Sequence, residues 1–512
     1  MRIDRINIQN FRCFKSYNVL LAEKTTVFIG KNGTGKTNLI DALKQGLSFI
    51  FSKTISATDT LNTDEEGKKR VQMPLPKLKP LSNSADLHVA KFDVMDAFYD
   101  SSKRDFDYPI NISYTGWFDN CEIEWAFIKN SQSGSLLSVP FQAALHSFLA
   151  YYNTDTVNKP LPVLAFFSDS YPHNKVNFGK YAKNILNIQG PLPRNFGYYQ
   201  WDAETDCAEI WQNKYINSYN KVNDFKNPLL EKKNRLVDIY LKQEIDPQYD
   251  LIKGNIEIQK LKGEILDLEN KSYELAEINF IDEKIVKFTK VIREGLDFIN
   301  NEFEISKIIV DRPKGLDDHK IQFVFSKERV IYFDILPQGY KRLLSIVFDI
   351  AYRSYILNGS NEPTGIVIID EVELHLHPTL AQEVLERLRK TFPEIQFIVS
   401  THSPLVISNL KEADEYGQNK IIKLLNENGD YINEDIENVY GIDYITSLMD
   451  VMEAKYRPST IDKLIDTYVA LKARKKEIEA LLVYEKLKTI FNGEPNQYIK
   501  NEIDRKLKSY QQ

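Results

Sequence analysis

The residue types best suited to chemistry begin with a glycine-rich segment near the N-terminus. It reads Gly30, Lys31, Asn32, Gly33, Thr34, Gly35, Lys36, Thr37 and then Asn38. Residues 30–37 form a complete G-x-x-x-x-G-K-[ST] pattern between an apolar, β-prone stretch and a helix-compatible one. In that context the glycines turn backbone N–H groups toward phosphate oxygens, Lys36 reaches the β- and γ-phosphates, and the Thr37 hydroxyl is offered to Mg²⁺. This phosphate loop predicts a site for ATP.

A second segment supplies the carboxylates that hydrolysis requires. The apolar run 366–369 is typical of a buried strand, and it ends in Asp370 and Glu371. Asp370 is predicted to hold the magnesium shell, and Glu371 to orient and deprotonate the attacking water. Taken singly, each segment has a plainer interpretation, as a glycine-rich turn before a helix or a core strand that ends in solvated acids. Both together, in this order, favour an ATPase.

Composition indicates a folded protein with several domains. The 512 residues are 43% hydrophobic and 12% aromatic, which is enough for cores in roughly two to four domains. The N-terminus is charged and no run of about 18 uncharged apolar residues occurs, so we expect a cytoplasmic protein with no membrane association. The widely spaced Cys13, Cys121 and Cys207 indicate neither a disulfide framework nor a zinc site.

The charge balance of the chain limits how nucleic acid could bind to it. A net charge of −6 gives no bulk electrostatic drive toward DNA, so any such binding has to be local. Basic patches occur at 68–70, 232–235 and 472–476, although a solvated face is the simpler interpretation of each. DNA therefore stays open as a ligand without being required.

The hydrophobic pattern predicts a sheet-rich head, a charged helical arm and a helical tail. In the first 45 residues or so we predict two strands, the phosphate loop and a helix, followed by a long loop over 53–90. Further strands are predicted at 110–114, 122–127, 162–167, 305–310 and 321–325. Helices are predicted at 141–152, at 340–357, along the arm with a break near 246–247, and after 411 with a break near 456–458. The predicted domains are 1–205 and 301–411 for the two parts of the head, 206–300 for the arm and 412–512 for a helical C-terminal region.

Three further segments complete a resemblance to a known family. They are a signature loop (336–344) that opens a helix, an interface segment (373–378), and a switch loop (400–404) that follows a strand. With the opening stretch 6–14, they resemble the RecF- and SMC-like branch of ABC-type ATPases, which includes the overcoming-lysogenization-defect group. The resemblance implies an α/β fold: an ABC-type P-loop ATPase head, with a mixed sheet and an antiparallel β subdomain, interrupted by a helical arm and followed by a helical C-terminal tail.

The resemblance also implies how the site would be completed. In this branch two heads form a homodimer that buries two ATP molecules, and each phosphate loop is closed by the signature loop of the partner, to which Gly339 belongs here. His402 corresponds to the switch histidine that senses the γ-phosphate. His375 and His377 could pair on a metal at i, i+2, but no third ligand stands nearby, so interface or structural roles are the simpler interpretation.

One position departs from the family pattern. The usual signature has a serine whose hydroxyl helps to bind the γ-phosphate across the dimer interface, and this chain has Pro337 there. Proline supplies neither a hydroxyl nor a backbone N–H. Because loss of an oriented donor typically costs about 10²–10³ in rate, we predict slow turnover, with ATP acting chiefly as a clamp or state signal.

The short arm, the helix containing 349–353 and the tail segment 438–443 most resemble the ATPase subunit of Septu-type antiphage systems (PtuA), and some retron systems use a similar subunit. This implies a separate HNH-type nuclease subunit. After His402 only 110 residues remain, without an obvious Asp-x-Asp cluster, so we expect cleavage on another chain and docking of that chain on 412–512. A RecF-like DNA repair or loading ATPase and a nucleotide-gated scaffold remain as alternatives.

Overall fold

The structure is a computed structural model, and its described part covers most of the chain. The residues described are 1–48, 91–118, 121–139, 160–168, 192, 194–202, 208–245, 251–270, 273–290, 303–315, 318–326, 328–454 and 458–509. Several predictions lie wholly or partly outside them, among them the loop at 53–90 with the basic patch at 68–70, the helix at 141–152, Cys207, the arm break near 246–247, the end of the arm at 291–300 and the break near 456–458.

A central sheet of parallel strands is built from the apolar runs of the sequence. Its parallel strands stand in the order β16 (Gly417–Glu427), β3 (Thr25–Ile29), β14 (Ile395–Ser400), β13 (Gly365–Ile369) and β9 (Val163–Phe167). Every residue of β3, β9, β13 and β14 is buried, as expected for strands covered on both faces. The carboxyl ends of these strands share one edge, which brings together the segments that follow β3, β13 and β14.

A second, antiparallel sheet forms the predicted β subdomain. Its strand order is β2 (Phe14–Leu20), β1 (Arg2–Phe11), β6 (Ile110–Phe118), β7 (Cys121–Lys129) and β8 (Leu136–Val139). The hairpin predicted from 110–114 and 122–127 is present as β6 and β7. The prediction of two strands before the first helix was wrong, because β1 and β2 form a hairpin ahead of β3. The turn between β1 and β2 places Arg12 at a φ of 47°, in the left-handed region, and no glycine marks this turn in the sequence.

Smaller sheets flank these two. β10 (Ile305–Asp311), β11 (Lys320–Phe325) and β12 (Val330–Tyr332) form an antiparallel sheet that leads into the signature loop. β4 (Phe98–Asp100) pairs with β5 (Asp105–Asp107). The strands predicted at 305–310 and 321–325 are therefore confirmed.

Helices cover the head and form the arm. In the head they are α1 (Lys36–Leu47), α4 (Tyr273–Thr289), α5 (Gln338–Asn358), α6 (Pro378–Thr391) and α7 (Pro404–Ile407). The arm consists of α2 (Ala208–Ile245) and α3 (Leu251–Asn270), which share a small core of Ile239, Ile258 and Leu261. None of the helices in the described ranges is long and apolar enough to cross a membrane.

The chain divides into two compact units, Met1–Tyr440 and Gly441–Gln512. The first unit continues past the boundary predicted at residue 411, because β16, with β15 (Ala413–Asp414) and β17 (Asp430–Ile436) on it, extends the central sheet. A helical tail was predicted in place of these strands, because polar residues are interspersed with the buried apolar residues around Ile421 and Leu424. The second unit is helical: α8 (Ser459–Ala473), α9 (Glu477–Ile490) and α10 (Gln497–Ser509) follow short helical turns over Tyr444–Val451 and enclose their own apolar core.

Candidate nucleotide site

The phosphate loop joins the end of β3 to the start of α1, so Lys36 is the first residue of the helix. Gly33 and Gly35 have φ values of 83° and 91°, in the region that favours glycine. A Cβ on Gly35 would lie 2.7 Å from the ring of Phe14, whereas one on Gly33 would meet nothing within 4 Å. The loop is thus packed against the protein at Gly35 and open at Gly33, beside the N-terminus of α1, where backbone N–H groups attract anions.

Side chains of the loop either fix its shape or face outward. Those of Lys31, Asn32 and Thr37 are exposed. The buried Thr34 donates its hydroxyl to the carbonyl oxygen of Lys31 at 2.8 Å. Asn38 is engaged within the protein, because its amide donates to Cys13 Sγ at 3.1 Å and accepts from Arg12 at 3.3 Å. Asn38 therefore anchors the first turn of α1.

Lys36 is buried, with 8% of its surface exposed, and it reaches back over the loop. Its Nζ donates to the carbonyl oxygens of Gly30 at 2.6 Å and Lys31 at 3.1 Å. Burial lowers the pKa of Lys36, and three carboxylates oppose that shift by their negative charge: Asp370, Glu371 and Glu373. The tertiary structure thus brings the lysine of the first motif within electrostatic range of the acids of the second.

Asp370 and Glu371 stand where β13 ends, next to the end of β14. The hydroxyl of Ser400 bridges the two strands, since it donates to Asp370 Oδ1 and accepts the backbone N–H of Glu371 at 2.8 Å. Asp370 is 9% exposed, and Glu371 has a φ of 49°, which is uncommon for a residue with a side chain. Ser400 lies in the switch loop, and no sequence motif predicted this role for it.

Arg342 hydrogen-bonds to the backbone of the turn that carries Asp370 and Glu371 and extends to Leu374, here called the acidic turn. Its guanidinium is fully buried and donates to four carbonyl oxygens, those of Asp370 at 3.0 Å, Glu371 at 2.7 Å, Leu374 at 3.3 Å and Ser168 at 3.3 Å. Because Arg342 belongs to α5, the helix that the signature loop opens is fastened to the acidic turn. No sequence pattern predicted this role for Arg342, and the available signal was an arginine among the apolar residues of a helix.

His402 and Glu371, the two predicted catalytic residues, lie side by side. Their nearest polar atoms, Nε2 and Oε1, are 4.0 Å apart, and 38% and 35% of the two side chains are exposed. Glu373 holds the switch loop in place, because its carboxylate accepts hydrogen bonds from the Thr401 hydroxyl at 2.7 Å and from the backbone N–H of His402 at 2.6 Å. The edge of the sheet therefore presents a carboxylate and an imidazole to solvent on a fixed backbone.

Gly339 lies in the first turn of α5 against the interface segment. A Cβ there would stand 2.4 Å from the carbonyl oxygen of His375, so only glycine allows this approach. Pro337 precedes the helix with φ −52° and ψ 143°, and its side chain makes no capping hydrogen bond. The signature loop is thus in backbone contact with the interface segment of its own chain.

The histidine pair has structural surroundings. His375 is exposed and has a φ of 65°, and His377 caps α6, where its Nδ1 accepts from the backbone N–H of Thr379 at 3.4 Å. Among the described residues no group of three or more His, Cys, Asp or Glu side chains is arranged to hold a metal ion. His377 therefore acts as the N-cap of α6.

A phosphate loop at the carboxyl edge of a parallel sheet, acids on a neighbouring strand and a signature helix tied to those acids define a P-loop ATPase of the ABC type. The chain belongs to the family described as AAA ATPase domain, whose model matches residues 1–135 and 167–407. Within it, the chain is of the RecF- and SMC-like branch that the motifs indicated.

Curated relatives agree with this assignment. The chain is 24% identical over 446 residues to the retron Vc95 probable ATPase of Vibrio cholerae, a match that covers 83% of this chain and 74% of the relative. It is 26% identical over 426 residues to the retron Ec83 probable ATPase of Escherichia coli, covering 79% and 69%. The Septu protein PtuA of Bacillus mycoides is 30% identical over 134 residues, which are 24% of this chain and 18% of that protein.

Solved structures match more weakly. An SMC head domain from Thermotoga maritima is 12% identical, covers 86% of this chain and 100% of that one, and has a TM-score of 0.38. The fold assignment depends on the sheets and the family.

Proposed function

We propose that this ATPase forms an ATP-clamped homodimer of heads, turns ATP over slowly and regulates a separate HNH-type nuclease in antiphage defence. The observation that carries the proposal is the convergence of Lys36 with Asp370 and Glu371 at one edge of the sheet, where β3 and β13 both pair in parallel with β14. The names of the retron and Septu relatives support the defence setting.

Hydrolysis is assigned to the groups around that edge. Lys36 would exchange its bonds to the loop carbonyls for the β- and γ-phosphate oxygens. In this proposal Glu371 orients the attacking water and accepts its proton, and His402, whose Nε2 lies 4.0 Å from Glu371 Oε1, contacts the γ-phosphate. Two hydrogen bonds hold Glu371 in its left-handed conformation: Arg342 donates to its carbonyl oxygen, and its backbone N–H donates to the Ser400 hydroxyl oxygen.

Magnesium fits the donor set at this edge. Thr37 presents an exposed hydroxyl on the first turn of α1, and Asp370 a carboxylate, both of them the hard oxygen ligands that Mg²⁺ prefers. When bound there, Mg²⁺ would neutralise charge on the β- and γ-phosphates. Ser400 orients the Asp370 carboxylate by hydrogen bonding to Oδ1.

Two copies would complete each site. Near the signature loop the side chain of Ile335 is 70% exposed and Pro337 is also exposed, so this loop is open to a second copy. In the proposed dimer it covers the ATP on the partner's phosphate loop. Pro337 withholds the hydroxyl that a serine would add, so hydrolysis of the ATP in the closed state is expected to be slow.

Co-expression with the neighbouring open reading frames, followed by DNA degradation assays at varied ATP, tests the proposal. Copurification of a small HNH-type protein whose cutting responds to ATP and is altered by Lys36→Ala supports the defence ATPase. A clean homodimer that binds DNA only with ATP, with a steep salt dependence, points instead to a RecF-like repair factor. Full biological activity of Glu371→Gln would favour a nucleotide-gated scaffold.

A further inference from the structure

The carboxylate of Glu373 fastens the interface segment to the switch loop. Its Oε2 accepts the Thr401 hydroxyl at 2.7 Å and its Oε1 accepts the backbone N–H of His402 at 2.6 Å. The Thr401 oxygen in turn accepts the backbone N–H of Ser403 at 3.0 Å, which leaves its own proton directed at Glu373. Both oxygens of one carboxylate are thus used to hold a loop that carries a predicted catalytic residue.

This clamp sets where the imidazole can reach. The His402 side chain is 38% exposed, and its Nε2 lies 4.0 Å from Glu371 Oε1. The backbone position of the switch loop therefore sets how close the imidazole comes to Glu371. Glu373 stands two residues after Glu371 on a turn closed by the bond from Leu374 N to Glu371 O at 3.0 Å. The proposed base and the clamp of the switch loop therefore sit on one rigid turn, and a displacement of about 1 Å between reacting groups can cost about 10² in rate.

We propose that Glu373 is a positioning residue for hydrolysis, which acts through its hydrogen bonds to Thr401 and His402 and not through its charge. The inference rests on the proposed roles of Glu371 and His402. The competing role is electrostatic, because Glu373 is also one of the three carboxylates whose charge acts on Lys36.

Two nearly isosteric substitutions separate these roles. Glu373→Gln removes the charge but keeps an oxygen for the His402 N–H, and its amide can donate to the Thr401 hydroxyl. Glu373→Met removes the charge and both acceptors while filling similar volume. Glu412→Met is the matched control, since Glu412 accepts a backbone N–H, that of Asn438 at 2.5 Å, outside the nucleotide site.

The test is single-turnover hydrolysis of γ-labelled ATP by the full chain, with nucleotide affinity and melting temperature measured in parallel. Glu373→Met is expected to lower the rate about 10- to 100-fold with ATP affinity within about threefold, and Glu373→Gln to stay within about threefold of the parent. In a His402→Ala background Glu373→Met should have no further effect, because both changes disable one unit. Glu412→Met should leave the rate unchanged.

Either of two results overturns the positioning role: a Glu373→Gln rate as low as that of Glu373→Met, or additive losses in the His402→Ala background. A Glu373→Met chain that does not melt cooperatively is replaced by Thr401→Val, which removes one of the two bonds, and the same non-additivity with His402→Ala is required. Failure of the proposed function looks different, because Lys36→Ala, Glu371→Gln and His402→Ala would then leave the rate unchanged.

Discussion

Arg342, in the helix that opens with the signature loop, donates a 2.7 Å hydrogen bond to the backbone carbonyl of Glu371, the proposed base. The guanidinium is fully buried and reaches three further carbonyls around the same turn. A planar fork of donors suits such a set, whereas an ammonium cannot span it. Arg342 therefore ties the position of α5 to that of the turn that carries Asp370 and Glu371.

Arg342→Lys should lower ATP turnover about 10- to 100-fold and destabilise the fold by about 1–3 kcal/mol, because several buried carbonyls lose their donor. Steady-state hydrolysis and thermal melting check this. The control is Arg389→Lys, which alters a buried arginine paired with Asp414 at 2.7 Å outside the nucleotide site and should reduce stability only. Equal turnover in Arg342→Lys and the parent would show that the acidic turn holds its shape without the fork.

Gly339→Ala should reduce hydrolysis at least about tenfold while leaving nucleotide binding intact. The added Cβ would stand 2.4 Å from the carbonyl oxygen of His375 and push the interface segment away from the signature loop. Binding of a fluorescent ATP analogue and phosphate release separate the two effects. Gly263→Ala, in an arm helix with nothing within 4 Å of the added Cβ, should instead stabilise the chain by about 0.5–1 kcal/mol. Similar phosphate release from Gly339→Ala and the parent would mean that the interface segment moves to accept the added Cβ without loss of activity.

Pro337→Ser should raise turnover at least several-fold, and by up to about 10²–10³, which is what an oriented donor is typically worth. Serine restores a hydroxyl for the γ-phosphate at the start of α5, where Pro337 makes no side-chain capping bond. Pro337→Ala restores only the backbone N–H, so the difference between the two variants measures the hydroxyl. If the two variants turn over ATP equally fast, the missing hydroxyl is not what limits this enzyme.

Asp282 predicts a pH dependence of stability. Burial raises the pKa of Asp282 from 3.8 to about 7, although the 2.6 Å hydrogen bond from Tyr215 opposes the shift. A raised carboxyl pKa gives stability that is fully present below the unfolded value and is lost as the pH rises through about 7. Asp282→Asn should therefore gain melting temperature over the parent progressively from about pH 4 to pH 7, and then hold a constant advantage.

Melting curves of both chains across that range, with the exposed Asp238→Asn as control, test the assignment. A difference between Asp282→Asn and the parent that does not change with pH would refute it.

Local sequence patterns predicted the residues of the nucleotide site and most of the strands around it. The spacing of Gly30, Lys36 and Thr37 and the acids after an apolar run are local patterns, since a phosphate loop needs only a strand, glycines and a helix start. Alternating residues likewise predicted the hairpin β6–β7. These features were readable because each depends on neighbours within a few positions.

The contacts that hold the site in shape became visible only in the folded structure. Arg342, Ser400 and Glu373 act through contacts with residues about 30 positions away, and their types carry no local signature. The strand β16 was mistaken for part of the tail for the same reason, because its partner β3 lies almost four hundred positions earlier in the chain. Side chains that bond to distant backbone, and strands that pair with distant strands, are selected by the assembled fold, so a local pattern could not reveal them.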